Sequence, residues 1–202
     1  MDLESARPLR LKILDFWVDR VNMEQAVARA ENFLHDDPRP HAVFAVNPEK
    51  VFRMRDDPVL RETLRNADLL IPDGVGVVWA ARVLHGVRLT RVAGADFMES
   101  LCALAARNKL GGFIYGAREE VNARAVRILK ERHPGLRIVG RSHGYVAAHD
   151  MDVLVQRINE SGASILWLAL GSPRQERWFA EHRHDLKPVS YTHLTLPTIY
   201  SV

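Results

Sequence analysis

The chain has 202 residues, 47% of them hydrophobic, enough for one domain with a substantial core or at most one domain plus an appendage. Its 28 Lys and Arg stand against 25 Asp and Glu, a formal charge of +3, and the cations are spread over several helix faces, which argues against nucleic-acid binding. No run approaches the ~20 apolar residues of a membrane span, residues 1 to 10 are acidic and polar where a secretory leader would turn apolar, and the single cysteine, Cys102, fits a reducing cytoplasmic setting without an internal disulfide.

From Pro188 the chain reads PVSYTHLTLPTIYSV, which carries no charged residue, breaks the helical pattern before it and resembles a translated sequencing adaptor. The domain is therefore expected to span residues 1–187, with 188–202 a foreign tail in place of the natural continuation.

Strand and helix signals alternate along the rest. LKILDF (11 to 16) predicts a strand, and NMEQAVARAENFL a helix with Asn22 as N-cap and Gln25 at the capping-box position. HAVFAV (41 to 46) is a strand ended by Asn47-Pro48, where Asn caps and Pro opens the next helix; Asp57-Pro58 repeats the device before the strand DLLI (68 to 71). Two helices follow, VVWAARVLHG closed by Gly86 and ADFMESLCALAARNKLG closed by Gly111. GFIYG (112 to 116), LRIVG (136 to 140) and SILWLAL (164 to 170) are further strands, separated by helices over REEVNARAVRILKERHPG and DMDVLVQRINESG. A last helix, SPRQERWFAEHRHDL, has Ser172 as N-cap. The strands are short, rich in Val, Ile and Leu and apolar on both faces. They predict an α/β fold: a single Rossmann-like domain with a mainly parallel sheet and helices on both faces.

In open sheets of this kind ligands bind beyond the carboxyl ends of the strands, where helix N-termini offer free N–H groups. Those ends read VNPEK, PDGVG, YGAREE, GRSHGYV and LGSPRQE, and they bring Asn47, Asp73, Gly116, Tyr145, Gly171 and Gln175 to one edge. A phosphate-bearing ligand suits that set. Each residue also has a reading that needs no ligand: Asn47 and Ser172 are good N-caps, Ser172 with Gln175 fits a capping box, Gly74 and Gly76 fit a tight turn, and Asp73 fits an N-cap of the helix from Val75. Convergence on one edge favours a site. Elsewhere the simpler reading holds: Asp150 and Asp152 cap a helix, Arg124, Arg127 and Lys130 form a solvated face, Cys102 is core, and the nine histidines form no metal-binding pair.

The stretches NPEKV, ADLLIPDGVGVVWA, RVAGADF, HPGLRIVGRSHGYV and INESGASILWLALGSPRQERW together resemble the WecG/TagA/CpsF glycosyltransferase family over residues 10 to 187. The resemblance implies transfer of an N-acetylmannosamine-type sugar, or a related hexose, from a UDP-sugar to a polyprenyl-diphosphate-linked sugar at the cytoplasmic face of the bacterial membrane. The products would be teichoic-acid linkage units, enterobacterial common antigen or exopolysaccharide. It implies an inverting reaction with Asp73 as general base and with Arg91 and Gln175 in the active site. Asn47, Gly74, Gly116, Tyr145, Gly171 and Ser172 would line the substrate pocket. Neither a metal nor an organic cofactor is implied. Self-association is implied, as is peripheral membrane contact through a further strand and a basic C-terminal appendage that this chain lacks. Ala45 stands where some members carry a threonine. Two rivals remain: a non-catalytic nucleotide-binding module, and a dinucleotide-dependent oxidoreductase, against which the first strand is not followed by G-x-G-x-x-G.

Overall fold

The computed structural model describes residues 9–35, 39–187 and 190–193. The predicted first strand is instead a hairpin. β1 (Arg10–Ile13) turns at Leu14 and Asp15, with Leu14 at φ 51°, into β2 (Phe16–Asp19), and the two pair antiparallel with Ile13 opposite Phe16. A two-residue turn built on Leu-Asp lacks the Asn-Gly or glycine signature by which such turns are read, so one strand was expected where there are two. The hairpin is fastened to the main sheet by Asp19: its carboxylate takes both forks of Arg10 at 2.7 and 2.8 Å and accepts the N–H of Leu70 at 2.7 Å.

The main sheet has six strands, all parallel: β3 (His41–Val46), β4 (Leu69–Pro72), β5 (Gly111–Gly116), β6 (Arg137–Ser142), β7 (Ile165–Ala169) and β8 (Ser190–His193), in the order β4-β3-β8-β7-β5-β6. Between them run α1 (Met23–His35), α2 (Pro48–Arg53), α3 (Pro58–Arg65), α4 (Val75–His85), α5 (Gly94–Arg107), α6 (Glu119–Arg132), α7 (Met151–Glu160) and α8 (Arg174–His182). Successive strand residues face opposite ways, and the core divides accordingly. Phe44, Leu70, Tyr115 and Leu168 pack against the hairpin, α3, α4, α7 and α8 on one face. Val43, Ile71, Ile114 and Trp167 pack against α1, α5 and α6 on the other. Apolar strands covered on both sides are what the sequence predicted.

Local devices behave unevenly. The α1 capping box forms, Gln25 N–H donating to Asn22 Oδ1 at 2.8 Å and Asn22 N–H to Gln25 Oε1 at 3.0 Å. Gly111 does not close α5. That helix stops at Arg107, Lys109 turns the chain at φ 55°, and Gly111 is the first residue of β5, where a Cβ would come within 2.9 Å of the Gly162 carbonyl. Asp150 holds the N-cap position of α7 but its side chain makes no capping bond.

β8 lies within the stretch expected to be foreign. Tyr191 is opposite both Ala42 of β3 and Leu166 of β7, so this backbone fills the centre of the sheet. Residues 1–8, 188–189 and 194–202, on which the leader and much of the tail readings fall, lie outside the described residues.

Candidate active site

All six parallel strands present their carboxyl ends at one rim. At β4 the rim carries Asp73, whose N–H donates to Val46 O of β3 at 2.9 Å. The chain then runs through α4 and returns: Val92 N–H donates to Pro72 O at 2.8 Å, which lays residues 91–93 along the end of β4. Arg91 Nε thereby lies 3.6 Å from Asp73 Oδ1, and the N–H of Gly94, first residue of α5, donates to Asp73 Oδ2 at 3.3 Å. The cap reading of Asp73 is thus corrected. It serves α5, across the loop, and not α4, whose N-cap is Gly74 without a side-chain bond. One carboxylate, a quarter exposed, faces a guanidinium and the positive end of a helix.

The two glycines of PDGVG have a steric cause. Gly74 has φ 93°, and a Cβ there would meet Pro48 Cδ at 3.2 Å; at Gly76 it would meet Pro48 Cγ at 2.7 Å. They let the first turn of α4 press on the proline that opens α2. Asn47 caps α2 as expected, Oδ1 accepting from Lys50 N–H at 2.9 Å. Asn47, Asp73, Gly74 and Arg91 therefore form one group at the β3–β4 end of the rim.

The second group lies at β7 and β5. Gln175 is 1% exposed; its Oε1 accepts from Gly171 N–H at 3.1 Å, while its Nε2 and the Ser172 Oγ are buried without a hydrogen-bond partner among the described residues. The expected capping box is absent. α8 begins at Arg174 after a cis Ser172–Pro173 bond, Pro173 takes the N-cap position, and the Gln175 amide turns back to the loop. Gly116, at φ 136°, approaches β7 so closely that a Cβ would lie 2.3 Å from the Ala169 carbonyl carbon, and Ala117 N–H donates to Ala169 O at 2.9 Å. The chain leaves β5 toward α6 on one face and β7 toward α8 on the other, the change of direction at which sheets of this kind hold ligands. Tyr145 is set apart: its loop is tied down by Gly144 N–H to Ala117 O at 2.7 Å, but its ring is 66% exposed.

What joins the two groups is a pair the sequence did not single out. Lys50 Nζ lies 2.8 Å from Glu176 Oε1, and the two residues are 1% and 0% exposed. The pair links α2, behind Asn47, to α8, beside Gln175. Burial pushes the Lys50 ammonium below the usual lysine range, opposed by the nearby charges of Glu176 and, further off, Asp73. Arg53 Nη1 donates to Ser172 O at 3.2 Å across the same gap. Asn122, also unremarked in the sequence, is fully buried and donates to Gly116 O and Ser142 O at 2.9 and 3.0 Å, fixing the ends of β5 and β6. The available signal for all three was a charged or amide residue in the first turn of a helix: Lys50 and Glu176 stand third in α2 and α8, and Asn122 fourth in α6.

Fold and rim together define a Rossmann-like α/β domain with polar side chains gathered along the carboxyl ends of a parallel sheet. The chain belongs to the glycosyl transferase WecG/TagA/CpsF family, whose model matches residues 11–193. Two relatives, from Bacillus spizizenii and Bacillus subtilis, are 32% and 29% identical over 158 and 163 residues, 78% and 81% of this chain. Both are named N-acetylglucosaminyldiphosphoundecaprenol N-acetyl-beta-D-mannosaminyltransferase. The chain spans 61% and 63% of their lengths.

Proposed function

We propose that this chain is the catalytic α/β domain of an inverting glycosyltransferase. It moves an N-acetylmannosamine-type sugar, or a related hexose, from a UDP-sugar to a polyprenyl-diphosphate-linked sugar, working as a peripheral protein at the cytoplasmic face of the membrane. The names of the two Bacillus relatives support the donor sugar and the lipid-linked acceptor. Asp73 acts as general base. The acceptor hydroxyl oxygen forms the new bond to the anomeric carbon, its proton passes to the Asp73 carboxylate, and the bond to the diphosphate breaks with its electron pair leaving on UDP. Donors to that leaving charge are at hand in the N-terminal turn of α8, the unpartnered Gln175 Nε2 and Ser172 Oγ, and Arg91.

The observation that carries this reading is Asp73 itself, a part-exposed carboxylate at the sheet rim held by Arg91 and Gly94 N–H. Asp73→Asn keeps an oxygen to accept from Gly94 and loses the base. Turnover is expected to fall by about 10²- to 10⁴-fold while UDP affinity, followed by calorimetry, is retained. Undiminished turnover would remove Asp73 from the mechanism. UDP binding without transfer to any diphospho-lipid acceptor would instead favour a binding module, and a thermal shift with NAD but not UDP would favour the oxidoreductase.

A further inference from the structure

We propose that the cavity between the β1–β2 hairpin and α3 binds a diphosphate carried on a hydrocarbon chain. The cavity has a volume of about 400 Å³ and an apolar floor of Phe16, Val46, Met54 and Leu64, all buried. Three cations stand at its edge, Lys12 on β1 and Arg61 and Arg65 on α3.

These cations are set differently from others on the surface. Arg39, Arg132 and Arg141 each meet a carboxylate oxygen at 2.6 to 2.7 Å. Among the described residues no carboxylate forms an ion pair with Lys12, Arg61 or Arg65, although Asp15 stands in the same wall. Arg61 is also held in place: Nε and Nη2 donate to Met54 O at 3.3 and 3.0 Å, and Nη2 donates again to Arg55 O at 2.9 Å. That fixes the guanidinium plane and leaves Nη1 with no acceptor among the described residues. Lys12 Nζ lies over the ring of Trp17, itself part of the wall, 5.8 Å from its centre. Three like charges around one void repel one another, and a multiply charged anion between them relieves the repulsion. Guanidinium forks match the oxygens of a phosphate or diphosphate.

The floor decides what carries that anion. No hydroxyl or amide side chain is among the described residues lining the cavity, so a nucleobase or a sugar would give up its hydrogen bonds to water without replacement. A hydrocarbon chain has none to lose and gains from leaving water. Val46, the last residue of β3, forms part of the wall, and its carbonyl accepts the Asp73 N–H at 2.9 Å. A ligand seated here therefore abuts the residue that anchors the β3–β4 end of the rim. Two sources share this chemistry, the lipid carrier of the acceptor and a free lipid phosphate. Assigning the site to the acceptor rests on the transferase reading; the binding itself does not.

The test is calorimetry of the full chain with geranyl diphosphate, inorganic diphosphate and UDP, with tryptophan fluorescence recorded alongside. Geranyl diphosphate is expected to bind at least about tenfold more tightly than inorganic diphosphate, to weaken as salt is raised, and to stay bound when UDP is added in excess. Lys12→Gln and Arg65→Gln should each weaken it by about fivefold with melting and UDP affinity unchanged, which separates loss of the site from misfolding. Trp17→Phe should remove most of the fluorescence change, placing the ligand in this cavity. In transfer assays, competition between geranyl diphosphate and the lipid acceptor would identify the acceptor's carrier as the source, and inhibition that excess acceptor does not relieve would identify a free lipid phosphate. If geranyl diphosphate binds as described but no acceptor is ever glycosylated, the site stands and the transferase reading falls. The proposal is overturned if geranyl diphosphate does not bind, binds no better than inorganic diphosphate, is displaced by UDP, keeps full affinity in the Lys12→Gln, Arg65→Gln double variant, or gives a fluorescence change that survives Trp17→Phe.

Discussion

The Lys50–Glu176 pair is the least conventional feature at the scale of single residues, because two buried charges must recover a desolvation penalty of several kcal/mol each. At 2.8 Å they do so only together. Lys50→Met alone leaves Glu176 buried opposite a thioether, and a loss of about 3–5 kcal/mol in denaturant unfolding is expected; Lys50→Met with Glu176→Leu should recover most of it. Recovery of stability without recovery of turnover would show that the pair is kept to hold α2 and α8 at a fixed separation. Asp68 offers a pH readout. Burial would raise its pKa, but His41, the Ala42 N–H and Arg39 outweigh that and hold it at about 2. A depressed carboxylate contributes stability that is full above the unfolded value near 4 and is lost as pH falls toward 2. Since Arg39 is half exposed and screened, ~1–2 kcal/mol is expected to vanish over that window, and Asp68→Asn should flatten it. Caps such as Asn47 were legible because capping is local chemistry. Lys50 with Glu176 was not, since each alone looks like an ordinary helix charge and only the fold brings positions 126 residues apart together.

At the scale of elements, the contact between α4 and α2 decides how far Asp73 stands from Asn47. Gly76 lies in the first turn of α4, where alanine would favour the helix by about 1 kcal/mol. Its Cβ would sit 2.7 Å from Pro48 Cγ, a rigid ring that cannot swing away. Overpacking of this kind costs about 1–3 kcal/mol, so the clash offsets or outweighs the propensity gain. Gly76→Ala is expected to lower the melting temperature and to reduce turnover more than the melt alone explains, because the helix must move off Pro48 and take the rim with it. Gly86→Ala, where nothing lies within 4 Å, is the comparison that isolates backbone strain. Periodicity told helix from strand along most of the chain, and G-x-G marked the turn at 74–76. It gave no hint that proline packing set those glycines, nor that α8 would refuse its capping box. Both depend on what lies across the gap from the element concerned.

For the whole molecule, the telling position is the centre of the sheet. β3 is buried at all six residues and β7 at four of five, and β8 is the only backbone between them in the described structure. Without a strand there, the sheet divides into β4-β3 and β7-β5-β6, leaving two interior edges with unpaired N–H and C=O groups under a covering of helices. A chain ended at Lys187 is therefore expected to lose its cooperative unfolding transition and to aggregate. A chain carrying the strand of a relative in place of residues 188–202 should melt in one step at higher temperature than the present one, if the slot was shaped for another sequence. The alternation of elements was legible from apolar runs and caps, but a boundary at 187 drawn from composition passes through the middle of a sheet whose continuity is a property of three dimensions. Size-exclusion chromatography with denaturant unfolding of the three chains decides the matter: a monomeric, cooperatively folded chain ending at 187 would mean that β3 and β7 close on one another, and that the rim bearing Asp73 and Gln175 is narrower than the six-stranded sheet makes it.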